Sequence, residues 1–205
     1  MDSVGMNTTL VASFYSSEPL LACVKALMPS KIVLLHPKAL DDKLKKNLEA
    51  VELAAGKFIA VEKVPVAQYD VLGVAEKAVA CIDRESSAGN RVVVNFTGGR
   101  RTIGLGALFA AYARPELVDR VVYVTEESNE VLDLPKLGFN LSSSKRGFLE
   151  ELNKSKPGAA VSVPDLAEKL GVTKGMAYVH LRELKAGGFI NGDNKVTVAG
   201  KLALL

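Results

Sequence analysis

The sequence predicts an α/β protein: a Rossmann-like, mostly parallel sheet followed by a small winged helix-turn-helix. Three observations predict it. Short apolar runs alternate with amphipathic helical stripes through residues 8–134. A turn rich in glycine and arginine follows the most convincing of the strand-like runs, Arg91–Asn95. From residue 144 onward the pattern changes to closely spaced helices, a glycine turn and an Asn-Gly hairpin signal. The expected boundaries are 1–135 for the sheet domain, 136–143 for a linker and 144–205 for the helical domain.

Each element has its own signal. Thr8–Ser13 is an apolar run of strand type. Ser16-Ser17-Glu18-Pro19 supplies a capping residue and an early proline, and so opens a helix. Leu20, Leu21, Val24, Leu27 and Met28 mark its apolar face, and Pro29 ends it. Lys31–Leu35 reads as a second strand, expected to stop at His36-Pro37. Leu40, Leu44, Leu48, Val51 and Ala55 recur at three- and four-residue steps, the stripe of a helix that Gly56 closes. Phe58–Val61 reads as a third strand. Val71, Ala75, Ala78, Val79 and Ile82 carry a helix that ends at Ala88-Gly89-Asn90. Arg91–Asn95 is a fourth strand, Ile103–Ala113 a helix stopped by Pro115, and Arg120–Val124 a fifth strand. Glu130–Leu134 reads as a last, edge strand.

Strands buried on both faces and joined by helices make a parallel sheet with right-handed crossovers. Ligands bind such sheets beyond the carboxyl ends of the strands, where the winding direction reverses. Two loops qualify. One holds Phe14, Tyr15, Ser16, Ser17 and Glu18. The other, from Asn95 through Phe96, Thr97, Gly98, Gly99, Arg100 and Arg101 to Thr102, carries the most chemistry. Its glycines let backbone approach a ligand closely. The helix that starts there offers unpaired N–H groups to an anion. Arg100 and Arg101 add forked donors suited to phosphate oxygens, and Thr97 and Thr102 add hydroxyls. No Gly-Lys-Ser/Thr follows, which excludes a Walker A motif. The spacing also excludes a dinucleotide G-x-G-x-x-G fingerprint.

Small residues line the next helix, with Gly104, Ala107 and Ala111 on one side. Two readings stay open: packing onto the parent sheet, or a homodimer contact that sets two glycine-arginine loops side by side. Catalysis has little support. His36 and His180 fall in different expected domains, and no Ser-His-Asp set, HExxH or paired-carboxylate pattern occurs. Glu126 and Glu127 fit a solvated loop. The two cysteines, Cys23 and Cys81, have no metal-ligand spacing and suit a reducing interior. No metal or cofactor is expected. No segment approaches the roughly 20 apolar residues of a spanning helix, and the first residues lack a basic region followed by an apolar one. A cytoplasmic location is the expectation.

The C-terminal third concentrates positive charge. Residues 144–205 hold 10 Lys+Arg against 6 Asp+Glu, a net of +4. The remaining 16 and 17 of the chain's 26 and 23 give −1 for residues 1–143. Helix one carries Phe148, Leu149 and Leu152, and Lys154-Ser155-Lys156-Pro157-Gly158 breaks it. Val161–Asp165 opens helix two, with Leu166, Ala167 and Leu170 inward. Gly171-Val172-Thr173 is a tight turn. Helix three runs from Lys174 to about Lys185, with Ala177, Leu181 and Leu184 buried. Asn191–Asn194 is a hairpin turn and Lys195–Val198 the return strand. Such a unit lays its last helix in the major groove. Thr173, Lys174, Gly175, Tyr178 and Arg182 face outward as candidate DNA contacts. Lys195 joins them from the wing, and Lys145 and Arg146 from the first helix. Met176 and Val179 share that surface, where they suit contact with thymine methyls or burial against a protein partner, DNA being the favoured reading. His180 reads as a hydrogen-bonded structural residue.

Taken together, the Phe96–Thr102 loop after an apolar strand, the helix that follows, the short last strand and the winged helix near Phe148–Val198 resemble a known family. It is that of the archaeal CRISPR-associated transcription regulators with an N-terminal CARF (CRISPR-associated Rossmann fold) domain. The resemblance covers nearly the whole chain. It implies a homodimer whose CARF interface binds a cyclic oligoadenylate, most often cyclic tetra-adenylate. Phe14–Ser17 and Thr97–Thr102 would be the binding residues, and the winged helices would bind promoter or CRISPR repeat double-stranded DNA. Two alternatives belong to other classes: a ring nuclease that cleaves the ligand, and an adaptor that docks on the CRISPR machinery.

Overall fold

A computed structural model describes residues 7–137, 141–154 and 162–205. The chain divides into two compact units, Met1–Gly138 and Phe139–Leu205. The first is built on a six-stranded sheet. β1 (Thr8–Ser13) runs through its middle, with β2 (Lys31–Pro37) on one side and β4 (Arg91–Asn95) on the other. β3 (Ala60–Val66) forms the edge beyond β2. β5 (Val118–Val124) and then β6 (Val131–Leu134) extend the sheet beyond β4. Every pairing is parallel except β5 with β6.

Alternation along β1 sorts the helices onto two faces. Leu10 and Ala12 join a core with Leu20 and Cys23 of α1 (Glu18–Leu27) and with Leu44, Leu48 and Val51 of α2 (Asp42–Ala55). Thr9 and Ser13 point the other way. Thr9 meets Glu85 of α3 (Val71–Ser87), and Ser13 approaches Gly104 of α4 (Arg101–Ala113). α3 and α4 touch through glycine: a Cβ placed on Gly106 would lie 2.5 Å from Val74 Cγ1. Ala107 and Ala111 are fully buried. The small face of α4 is therefore engaged in packing its own unit.

Several boundaries differ from expectation: α4 and β5 begin two residues early and β6 one residue late, and three others have a clear physical cause. β2 does not stop at His36-Pro37. It runs through both residues, because β3 supplies Pro65 and Val66 as partners. β3 begins at Ala60, not Phe58; Phe58 is 89% exposed, so no core holds it in a strand. Leu40 lies outside α2, whose start is fixed by Asp41 Oδ1 accepting the Leu44 amide at 2.8 Å.

The second unit packs α5 (Ser143–Lys154), α6 (Val163–Lys169), α7 (Lys174–Ala186) and α8 (Val198–Leu204). Phe148, Leu149, Leu166, Ala177, Leu181, Leu184 and Ile190 form its core. Side-chain caps from Ser162, Thr173 and Thr197 start α6, α7 and α8. Gly171 takes φ +65°, the left-handed turn between α6 and α7. The expected return strand Lys195–Val198 is not formed. One antiparallel bridge joins Ile190 to Val196, then Thr197 accepts the Gly200 amide and Val198 opens a helix. The cap diverts the chain out of the wing. The expected helix break at 155–158, Val161, and parts of the linker and N-terminus lie outside the described residues. Among the described residues no helix is long and apolar enough to cross a membrane.

At the amino ends of the strands, Glu85 is 3% exposed and binds Lys31 Nζ at 2.6 Å, Arg84 Nε at 3.0 Å, Thr9 Oγ1 at 3.1 Å and Asn90 Nδ2 at 3.1 Å. Burial pushes its carboxyl upward, but the four donors outweigh burial and hold it at about 2, against an ordinary 4.5. The folded value is depressed, so this stabilisation is complete above the unfolded value and is lost as pH falls through the folded one. Chemical denaturation should therefore show stability declining between pH 4.5 and 2. Glu85→Gln should flatten that decline and cost about 2 kcal/mol at neutral pH.

Candidate functional site

The sheet reverses its winding between β1 and β4, which are neighbours in space though three helices and two strands separate them in sequence. The loops that follow both strands meet there. Ser16 donates its amide to Gly98 O at 3.1 Å. A Cβ on Gly99 would fall 2.7 Å from Ser13 Cβ and 3.0 Å from Phe14 N. One on Gly98 would fall 3.2 Å from Ser13 O. Gly99 is required, and Gly98 fits closely, because the second loop lies directly on the end of β1.

That contact aims α4. Its first helical residue is Arg101, and the amides of Arg101 and Thr102 precede the first intrahelical bonds, which Ile103 and Gly104 make to Arg100 O at 2.9 and 3.0 Å. The positive end of the helix dipole, two guanidinium groups and two glycines thus collect at one strand end. Arg100 and Arg101 are both exposed. Tyr15, Ser16 and Ser17 are half-buried on the facing loop.

Other expected residues support the crevice from beneath. Phe14 is fully buried in the core with α1 and α2, and its amide donates to Leu35 O at 2.8 Å. Its side chain has no access to a ligand, which corrects the expectation for that residue. Asn95 is 1% exposed; it donates to Cys23 Sγ at 3.2 Å and accepts the Thr97 amide at 2.9 Å. Thr97 Oγ1 accepts the Val124 amide at 2.9 Å, tying the loop to β5. Thr102 Oγ1 donates to Gln68 O. Burial raises the Cys23 thiol to about 11, so it stays neutral.

Two residues of this region were not legible. Ser13 Oγ is buried below the glycines and, among the described residues, has no hydrogen-bond partner. Asp41 arrives from the loop after β2 and accepts the Tyr15 phenol at 2.7 Å. The sequence around Asp41 signals only a helix cap, and nothing local ties it to β1 or β4.

In the second unit Lys174, Gly175, Tyr178, Arg182 and Lys195 are exposed. Thr173 is exposed too, with Oγ1 accepting the Met176 amide at 3.3 Å. Met176 is 47% exposed beside them. A cavity of about 450 Å³ is lined by Val163, Tyr178, Val179, Leu181, Arg182, Lys185 and Asn194. Lys145 and Arg146 have structural partners. Lys145 pairs with Glu183 at 3.0 Å, and Arg146 donates to Ala203 O and Leu204 O at 3.2 and 2.7 Å, fastening α8 to α5. His180 is buried against Phe148, but its Nδ1 has no hydrogen-bond partner and lies 3.8 Å from Glu183. Its ring packs on Phe148, and its Nδ1 faces the Glu183 carboxylate beyond hydrogen-bond distance. Among the described residues no group of three His, Cys, Asp or Glu side chains could hold a metal ion.

No protein-family model matches the sequence, and no curated protein matches it. Solved structures do. Csm6 from Enterococcus italicus, bound to cyclic hexa-2'-fluoro-hexa-dAMP, matches over 91% of this chain with TM-score 0.54 and 10% identity. Can2 from Sulfobacillus thermosulfidooxidans, in complex with cyclic tetra-adenylate, matches over 72% with TM-score 0.51 and 16% identity. A type III CRISPR defence DNA nuclease activated by cyclic oligoadenylate matches over 89% with TM-score 0.50 and 15% identity. This chain spans 57%, 40% and 34% of those chains, less than two thirds of each. The likeness is one of fold, carried by the mostly parallel, Rossmann-like sheet of the first unit.

The glycine contact yields a direct test. Gly99→Ala should cost about 1–3 kcal/mol in denaturant unfolding, because its Cβ has no room against β1. Gly175→Ala, whose Cβ would meet only Thr173 Oγ1 at 4.0 Å, should be neutral or slightly stabilising.

Proposed function

We propose that this chain is a CRISPR-associated transcription regulator. In this reading its CARF-like unit forms a homodimer and binds a cyclic oligoadenylate, with cyclic tetra-adenylate the first choice. The C-terminal helical unit binds double-stranded DNA in response. One observation carries the reading: the loops after β1 and β4 converge at the winding reversal, beside the amino end of α4 and two exposed arginines. Backbone amides, a helix dipole and forked cations at one point suit phosphodiesters better than neutral ligands. The solved relatives of this fold with bound cyclic oligoadenylates favour the same ligand class. A ring carrying several phosphates would meet Arg100 and Arg101 from both copies of a dimer.

For the second unit, Lys174, Arg182 and Lys195 supply cations on the exposed side of α7 and its hairpin. A docking role is the second reading. It is favoured by the 450 Å³ cavity and by Met176, Tyr178 and Val179 on the same surface.

Calorimetry with cyclic tetra- and hexa-adenylate tests the sensor. Wild-type protein should bind, and Arg100→Ala should weaken binding by about 1.5–3 kcal/mol, the range for a charged hydrogen bond. Silence with every ring size would remove the ligand reading, and linear product at catalytic turnover would replace it with a ring nuclease. Gel shifts on CRISPR-locus DNA test the second unit. Arg182→Ala should reduce both affinity and its salt dependence. If the wild-type protein shifts no DNA with or without ligand, the docking reading takes over.

A further inference from the structure

Loops at the carboxyl ends of β1, β2 and β4 converge on one side-chain cluster. Tyr15 Oη donates to Asp41 Oδ2 at 2.7 Å. The Arg100 guanidinium carbon lies 4.6 Å from the Tyr15 ring centroid, and Arg100 Nη2 lies 3.9 Å from that same Asp41 oxygen. Asp41 Oδ1 accepts the Leu44 amide, and Asn47 Nδ2 fixes the Tyr15 carbonyl at 2.8 Å. One carboxylate therefore gathers an aromatic ring and a cation at the mouth of the crevice.

We infer that Asp41 is an internal competitor for Arg100: it holds the guanidinium until an incoming phosphate takes it, and so sets the affinity of the crevice for anions. The identity of the anion rests on the oligoadenylate reading above; the competition does not. A carboxylate and a phosphate offer the same kind of acceptor to a guanidinium. The Arg100 and Asp41 side chains are 47% and 49% exposed, so the pair is screened and weak enough to exchange. Losing Arg100 does not strand the Asp41 charge, because the Leu44 amide and the Tyr15 phenol still donate to it. The backbone amide and the phenol, in that order, hold the carboxyl below the usual range. Asp41 thus remains charged throughout and returns Arg100 when the anion leaves.

The experiment compares wild type, Asp41→Asn and Tyr15→Phe by calorimetry, with cyclic tetra-adenylate and inorganic tripolyphosphate as probes. Asparagine caps a helix as well as aspartate does, so Asp41→Asn keeps the start of α2 while deleting the charge. It should bind both probes about three- to fivefold more tightly, the scale of an exposed ion pair. In an Arg100→Ala background the same substitution should change little. Tyr15→Phe leaves the Asp41 charge with one donor fewer and a stronger claim on Arg100, so both probes should bind more weakly. A purely structural cluster would shift both single variants in the same direction. The inference is overturned if Asp41→Asn fails to tighten binding, or tightens it equally without Arg100, which would be mere charge repulsion. Should Asp41→Asn not fold, Tyr15→Phe decides by its sign. Tightening toward tripolyphosphate, with no wild-type binding of cyclic tetra- or hexa-adenylate, would sink the oligoadenylate reading and leave the competition standing. No binding of either probe to any variant overturns both.

Discussion

The contact of Gly98 and Gly99 with the end of β1 is the constraint on which the rest of the first unit depends. Two loops from strands distant in sequence meet so closely that no side chain fits at Gly99 and little room is left at Gly98. The Ser16 amide bonded to Gly98 O fixes their mutual height. From that contact follow the direction of α4, the place where its free amides emerge and the positions of Arg100 and Arg101. Thr97, bonded to the Val124 amide, carries the same constraint across to β5. The chemistry of the crevice is a consequence of backbone packing, with few side chains needed to shape it.

The two ends of the sheet treat charge in opposite ways. At the amino ends Glu85 is buried and surrounded by donors from β1, β2 and α3. That network ties elements together and leaves nothing to offer a ligand. At the carboxyl ends the cations stay exposed and only loosely paired. A buried charge with a full set of partners serves cohesion, whereas an exposed one on a rigid mount serves recognition.

Much of this was readable from the chain itself. The inner strands β1, β2 and β4 carry continuous buried runs because helices cover both faces, and that pattern survives without tertiary information. The Gly-Gly-Arg-Arg turn stood out because its residue types have few other uses after a buried strand. Phe14 was misread because loop position was allowed to outweigh its size and apolarity; the core takes it. Asp41 was invisible as a site residue because its neighbours spell a helix start, and only strand order brings it beside Tyr15. The wing failed for a local reason. Thr197 serves equally as a strand residue and as a helix cap, and its hydroxyl on the Gly200 amide decides for the cap. Lys145 and Arg146 looked available because partners such as Glu183 and the α8 carbonyls are distant in sequence.

The margins of the sheet bear on self-assembly. β3, at one margin, contains Pro65, which has no amide hydrogen to offer, together with Glu62 and Lys63. β6, at the other, is four residues long and runs against its neighbour. A proline, charges and shortness all discourage strand addition by a second molecule. Fibre-like growth through the sheet margins is therefore disfavoured, which leaves helices and loops as the surfaces for any association between copies of this chain.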